Sequence, residues 1–314
     1  MKSWDRLIKI VFTGNLIVQI GIVVTGGAVR LTGSGLGCPT WPDCTSGKIS
    51  PIAHPATGYH SWIEFANRLL TFLLVIFAIA VLIVLFSPII KKSQIANSKK
   101  ELRTLRLLGA TQIIGIMAQI VVGGVSVLTK LNPAVVGLHF LISLPIVAAA
   151  LSLLRKIQRE VLVSNTFQPT KLEQSLISNL LRVMTGLTFL VISVGTVVTG
   201  SGPHSGDTKA PRYHFSARNI SWLHADLVIA LISLTIGLIL IFRVVKTIPN
   251  SQTLAIAAQK LLGACLLQGV IGYIQFFSHL PIVLVAAHIL GSILVWLSMW
   301  DIAISTRVFV KRDK

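Results

Sequence analysis

Long apolar runs separated by short polar segments recur along the whole chain. A helix needs about 20 mostly apolar residues to cross the hydrocarbon core of a bilayer, and these runs approach that length. The pattern therefore predicts an all-α membrane protein with eight transmembrane helices. The predicted spans cover residues 8–29, 62–87, 106–128, 134–154, 183–200, 220–242, 259–278 and 282–303.

Composition excludes a soluble globular domain. The chain is 53% hydrophobic and 12% charged, with a mean hydropathy of +0.80, whereas soluble domains carry about 25% charged residues. The first apolar run is long and is not followed by a clean small-residue cleavage site. We therefore interpret it as a retained helix rather than a signal peptide.

The net charge of +18 would indicate nucleic-acid binding in a soluble protein, but here the basic residues concentrate in alternate segments between the spans. The positive-inside rule then places the N-terminus and the C-terminus in the cytoplasm. The charge is interpreted as an orientation signal of a multi-pass cell-membrane protein. Its partner is the lipid bilayer with its anionic headgroups, and no nucleic acid is expected.

The chain repeats itself. A motif of glutamine, glycine and histidine occurs twice with the same spacing, at Gln119, Gly123 and His139 and again at Gln268, Gly272 and His288. A weaker match joins Val24–Gly26 to Val198–Gly200. We predict two four-helix bundles that form a parallel repeat, residues 1–160 and residues 161–314, each with its own site.

Three of the eight histidines, His139, His224 and His288, fall just inside predicted spans that run in the same direction. They are expected to share one depth, in the outer third of the bilayer. Ionisable residues in a membrane are costly and usually functional, although each could also simply hydrogen-bond a neighbouring helix. Axial ligation of haem iron between helices fits their placement.

The two halves differ in ligands. His224 and His288 would form an axial pair in the second half, whereas the first half offers His139 alone and places Asn67 at the position of His224. Asparagine is a poor haem ligand, so an iron in the first half would keep one coordination position open. An open position suits a reacting substrate rather than an electron-transfer haem.

Glu64 and Arg68 are four residues apart and lie on one helix face, with Asn67 beside them. They are either an ion pair that anchors the helix end or part of a site. In a site, the carboxylate would accept a proton or stabilise a developing cation, and the guanidinium would pair with a haem propionate.

Two glycine-rich segments, 30–44 and 199–207, follow outward helix ends. Their backbone N–H groups are expected to bind anionic groups such as propionates. Cys38 and Cys44 lie on the oxidising side, which predicts a disulfide that either braces the loop or has a redox role. Cys265 is interpreted as a small apolar residue of a span.

Together these residues resemble the haem A synthase family, membrane enzymes that convert haem O to haem A for terminal oxidases. The resemblance covers the whole chain, and the first glycine-rich segment is its most specific part. The matching segments are Gly26–Leu36, Cys38-Pro39-x-Trp41-Pro42-x-Cys44, Glu64-Phe65-x-x-Arg68, Gly202–Asp207, Trp222–His224 and His288.

The resemblance implies a haem b prosthetic group held by His224 and His288, and a haem O substrate in the N-terminal half with His139 on its iron. It ties Glu64 to activity and matches the Cys38–Cys44 pair. The family has a histidine where this chain has Asn67, and His60, one turn before Glu64, is a candidate replacement. The loop around His204 lacks the second cysteine pair of some relatives.

The function implied is an oxidoreductase that oxidises a methyl group of haem O to a formyl group with oxygen from water. Glu64 would assist the reacting centre, and the iron of haem b would pass electrons away. Haem O synthase and cytochrome oxidase assembly proteins are the implied partners, and an oligomer is left open. The rival hypotheses are a membrane haem carrier and a dihaem electron-transfer protein, although the latter would require a fourth histidine.

Overall fold

The structure, a computed structural model of the chain, describes residues 3–45, 47–51, 58–88, 90, 98–158, 170–245 and 247–310. One of the eight histidines, His54, lies outside the described residues. Every residue assigned above to the candidate site lies within the described ranges.

The described part of the chain is helical. Its eight helices are α1 Ser3–Leu31, α2 His60–Phe86, α3 Lys99–Leu128, α4 Pro133–Gln158, α5 Lys171–Ser201, α6 Ala217–Val244, α7 Ser251–Phe277 and α8 Ile282–Val310. All eight are long and apolar enough to cross a membrane. Within the described residues, extended pairing is limited to one bridge between Thr45 and Lys48. The predicted all-α membrane class and the number of spans are confirmed.

Seven of the eight helices begin before the first residue of their predicted apolar spans, and polar side chains cap the early starts of α3 and α5. The hydroxyl of Ser98 accepts the N–H of Glu101 at 3.1 Å at the start of α3. At the start of α5, Thr170 and Glu173 each accept the backbone N–H of the other, at 2.7 and 3.2 Å. Such reciprocal capping satisfies N–H groups that the first turn leaves without partners, so the helices extend past the apolar core.

The described residues group into two compact units, one within Met1–Arg159 together with Thr199–His214 and the other within Glu160–Val198 and Phe215–Lys314. In the first unit, side chains from α1 to α4 form one buried apolar cluster that includes Phe12, Leu85, Leu105 and Leu153. In the second, α5 to α8 supply another, with Met184, Phe242, Leu261 and Met299. Each unit is thus a set of four helices around its own core.

The turns between α3 and α4 and between α7 and α8 have the same unusual backbone. Lys130 and Leu131 have φ angles of 53° and 62°, and His279 and Leu280 have 61° and 59°. Few residues other than glycine adopt this left-handed conformation. In both turns the leucine N–H donates to the carbonyl five residues earlier, at 2.7 and 2.8 Å. The two turns therefore close their helix pairs in the same way.

Candidate functional site

The predicted pairing of Glu64 and Arg68 is present at the start of α2. Arg68 Nη2 lies 2.6 Å from Glu64 Oε1, and Arg68 Nε donates to the same oxygen at 3.2 Å. The Glu64 side chain is buried and about a quarter of the Arg68 side chain is exposed. A buried carboxylate requires such compensation, since an unpaired charge is costly away from water.

The same pair holds the loop between α1 and α2. Cys38 and Cys44 form the predicted disulfide, with their Cα atoms 4.3 Å apart. Glu64 Oε2 accepts the N–H of Cys38 at 2.7 Å. Arg68 also donates to backbone carbonyl oxygens of this loop at 3.2 to 3.4 Å, those of Cys38, Thr40, Pro42 and Asp43. Both members of the Glu64–Arg68 ion pair thus hold the backbone of the disulfide loop.

The disulfide loop also reaches α3. The indole of Trp41 packs on Gly124 so closely that a Cβ atom on that glycine would lie 2.5 Å from two of its ring carbons. The preceding residue, Gly123, faces His139, whose Cε1 would lie 3.2 Å from an added Cβ. Two adjacent glycines of α3 therefore carry the loop tryptophan and the candidate ligand of the first unit.

His139 lies within the first two turns of α4. Gln119 of α3 donates to the His139 backbone carbonyl at 3.0 Å and to the Ser143 hydroxyl at 2.8 Å. The repeated glutamine of the sequence motif therefore contacts the backbone of the histidine helix. Among the described residues, the ring Nδ1 of His139 is buried and has no hydrogen-bond partner, so the simple alternative of a ring bonded to a neighbouring helix lacks support at this nitrogen.

Asn67 is held by α1, since Thr25 Oγ1 donates to its side-chain oxygen at 2.7 Å. Its amide is therefore engaged within the protein. His60, the candidate replacement ligand, contacts a buried serine instead, with its Nδ1 2.9 Å from Ser34 Oγ. The first unit thus presents His139, with an asparagine and a serine-bonded histidine on α2.

The second glycine-rich segment packs on the first unit. Arg30, at the end of α1, donates to the carbonyl oxygens of Thr199 and His204 at 3.1 and 2.7 Å. The N–H of Gly35 donates to the carbonyl of Gly206 at 2.9 Å. Sequence reasoning missed this link, because neither segment carries a motif that identifies the other.

The expectation that glycine N–H groups of the first segment are free for anionic ligands is not met at the three positions with described bonds. Besides Gly35, the N–H of Gly33 donates to Arg30 O at 3.2 Å and that of Gly37 to Ser34 O at 3.1 Å. The segment forms its own tight turns. At these three glycines the backbone N–H groups stabilise the loop and are not free to bind a ligand.

In the second unit, the rings of His224 on α6 and His288 on α8 face each other. Their centroids are 6.3 Å apart and their planes make an angle of 68°. His224 Nδ1 lies 3.0 Å from the carbonyl oxygen of Val191 on α5. A carbonyl only accepts, so Nδ1 carries the proton and Nε2 keeps the lone pair that binds a metal.

This spacing fits one iron between the two rings. A metal–imidazole bond is about 2 Å long and each nitrogen lies about 1 Å from its ring centroid, so two axial imidazoles have centroids about 6 Å apart. His288 Nδ1 is buried and has no partner among the described residues. Nowhere in the described part of the chain do three histidine, cysteine or acidic side chains gather as a bare metal site would require. Two imidazoles are the donor set that haem iron takes from a protein.

A known protein family matches most of the chain. The family model COX15-CtaA, described as cytochrome oxidase assembly protein, matches residues 9–300. Proteins named heme A synthase are similar over parts of the chain. That of Bacillus pumilus is 31% identical over 154 residues, which cover 49% of this chain and 45% of that protein.

The corresponding protein of Lysinibacillus sphaericus is 29% identical over 198 residues, 62% of this chain and 58% of its own length. That of Geobacillus thermodenitrificans is 29% identical over 119 residues, 38% of this chain and 33% of its own length. The matched part of the chain thus spans between a third and three fifths of these relatives.

Proposed function

Because the chain belongs to the COX15-CtaA family of cytochrome oxidase assembly proteins, we propose that it is a haem A synthase, a multi-pass membrane oxidoreductase that converts haem O to haem A. The observation that carries this proposal is the contrast in ligands. In the second unit the two imidazoles lie edge to face with centroids 6.3 Å apart, whereas the first unit offers His139 and, on α2, an asparagine bonded to Thr25. A closed pair suits electron transfer, and a single ligand suits a reacting substrate.

In this proposal the two four-helix units are copies of one parallel repeat, with the N-terminus and the C-terminus in the cytoplasm and both sites near the extracytoplasmic face. The matching turns at Lys130–Leu131 and His279–Leu280 support the repeat. The disulfide between Cys38 and Cys44 supports the orientation, because disulfides persist in oxidising compartments.

His224 and His288 would hold haem b, which supplies one-electron transfer when bound. His224 is oriented for this task by the Val191 carbonyl, which fixes the tautomer that leaves Nε2 free to bind. The separation of 6.3 Å between the two ring centroids suits the binding of one iron by both imidazoles. The second unit is therefore assigned the electron-transfer role.

The first unit would bind haem O, with His139 on its iron. Gln119 orients the helix backbone at His139, and Asn67 contributes a polar amide in place of a second ligand. Oxidation of a methyl group to a formyl group with oxygen from water releases protons and electrons. The site therefore needs a group that accepts protons.

We assign that proton uptake to Glu64, with Arg68 holding the carboxylate in place. Both groups also hold the disulfide loop, so their loss would affect the loop and the reaction together. Partners in this scheme are haem O synthase as the source of substrate and cytochrome oxidase assembly proteins as recipients. Self-association is compatible with it.

The test is expression in a host that makes haem O but no haem A, followed by extraction and separation of the haems. Wild type is expected to accumulate haem A or hydroxylated haem O. Glu64→Gln and His288→Ala are expected to lose this product, whereas His214→Ala, which changes an exposed loop histidine, is expected to retain it.

The same experiment separates the rival functions. Purified protein that carries only unmodified haem would favour a haem carrier or an electron-transfer protein. Loss of product in His288→Ala but not in Glu64→Gln would remove Glu64 from the reaction and leave it the loop-holding role alone.

A further inference from the structure

Each of the three histidines assigned to haem packs the same edge of its ring against a glycine of the preceding helix. A Cβ atom built on the glycine would lie 3.2 Å from Cε1 of His139 at Gly123 and 3.2 Å from Cε1 of His224 at Gly195. It would lie 3.4 Å from Cε1 of His288 at Gly272. Favourable carbon–carbon contacts have separations of about 3.5 to 4.0 Å. An alanine at Gly123 or Gly195 would therefore require the ring to move by a few tenths of an ångström, whereas at Gly272 it would only reach ordinary van der Waals contact.

Three other glycines of α5 and α7 have no close neighbour. A Cβ atom on Gly186 of α5, or on Gly263 or Gly269 of α7, would have no atom within 4 Å. Glycine lowers helix stability relative to alanine, so helix formation does not explain its presence opposite the rings. Close approach of the histidine does explain it.

The contact point is chemically specific. Cε1 is bonded to both ring nitrogens, so pressure on this atom turns or shifts Nδ1 and Nε2 together. In His224 the Nδ1 position is already fixed by the Val191 carbonyl at 3.0 Å. An added methyl group at Gly195 would thus act mainly on Nε2 of His224, the nitrogen that is left to bind a metal.

We propose that Gly195 is a positioning residue of the haem b site, which sets the orientation of the His224 ring by leaving room for Cε1. This inference rests on the proposed function of the second unit. Gly123 has the same relation to His139 in the first unit. A glycine on the preceding helix, next to Cε1 of the histidine, is then common to the three ligand positions.

The test uses the full-length protein with Gly195→Ala and Gly272→Ala and, as matched controls on the same helices, Gly186→Ala and Gly269→Ala. Bound haem, the low-spin electron paramagnetic resonance signal of the oxidised protein and the midpoint potential are measured. Gly195→Ala is expected to shift the signal and the potential or to lose part of the low-spin form. The controls are expected to match wild type.

The contact at Gly272 is wider than that at Gly195, so Gly272→Ala is expected to keep more haem and shift the signal less. If Gly195→Ala does not fold, Gly123→Ala serves as the test, because its contact with Cε1 of His139 has the same length of 3.2 Å, and it is expected to shift the signal of haem O-loaded protein. Site variants whose spectra and potentials equal those of the controls would overturn the inference. Wild-type protein that binds no haem would instead overturn the proposed function, so the two failures are distinguishable.

Discussion

The two units present their nitrogen ligands differently although the helices that carry them match. His224 and His288 face each other across 6.3 Å in the second unit. In the first, the residue at the position of His224 is Asn67, and it bonds to Thr25 rather than facing His139 as a second ligand. In the proposed repeat, this one difference would separate an electron-transfer arrangement from an open one.

The units also differ in what they bury. The first unit encloses three amide side chains, since Asn15 and Gln19 of α1 both donate to Gln112 Oε1 at 3.2 Å and Gln112 donates to the Ile146 carbonyl at 3.3 Å. Among the described residues, the buried polar residues of the second unit are threonines, Thr188, Thr235 and Thr306, and each bonds a carbonyl of its own helix. The first unit is in addition covered by two loops, 38–44 and 199–214. Polar interior and loop cover suit the unit proposed to do chemistry.

Restoring a histidine at position 67 tests the ligand contrast most directly. Asn67 and His224 have the same position counted from the start of α2 and α6. Asn67→His is expected to add a second low-spin signal in haem O-loaded protein. It is also expected to lower haem A formation roughly tenfold or more, a barrier increase of about 1.4 kcal/mol.

Asn67→Leu is the control, since it removes the amide without adding a ligand and is expected to give no second low-spin signal. If Asn67→His changed neither the spectrum nor the product, the ligand contrast would not explain the difference between the units.

The ion pair that holds the disulfide loop gives the next largest effect. Removal of one partner of a buried pair costs 3–5 kcal/mol, and the partial exposure of Arg68 reduces the expected loss for Arg68→Leu to about 2 kcal/mol. Thermal unfolding in detergent measures this loss. Alkylation of the cysteines after mild reduction is expected to become faster, because the loop loses its bonds to the guanidinium.

Arg68→Lys should fall between wild type and Arg68→Leu, since an ammonium lacks the planar fork that reaches several carbonyl oxygens at once. Arg182→Leu, which removes an exposed arginine of α5 with local partners only, is the control. Equal losses for Arg68→Leu and Arg182→Leu would contradict an anchoring role.

Much of this architecture is predictable from the sequence, because it depends on local patterns. Apolar length predicts the eight helices, helical spacing predicts the Glu64–Arg68 pair, and the loop cysteines predict their disulfide. The early starts of α3 and α5 were missed although Ser98-x-x-Glu101 and Thr170-x-x-Glu173 are capping patterns. Apolar length alone does not report where polar caps let a helix continue.

Contacts between segments distant in sequence could not be predicted. Nothing local in Arg30 indicates that it bonds the carbonyls of Thr199 and His204, and Trp41 gives no sign that it packs on Gly124. Of the glycines opposite the histidines, Gly123 and Gly272 recur in the repeated motif. Gly195 has no such signal, since only packing reveals the need for a missing β-carbon.

The amide cluster of the first unit gives the smallest expected effect. Gln112→Leu removes the oxygen that accepts from Asn15 and Gln19, and buried polar interactions between membrane helices are worth about 1 kcal/mol. Unfolding of the first unit is therefore expected to become easier by about that amount, while the haem spectrum of the second unit is unchanged. Thr235→Val is the matched control, because this buried threonine of the second unit bonds the Leu231 carbonyl of its own helix and holds no neighbour. An equal loss of unfolding free energy in Thr235→Val and Gln112→Leu would mean that the amides do not link α1 to α3. The polar interior of the first unit would then have to be explained by its ligand rather than by its helix packing.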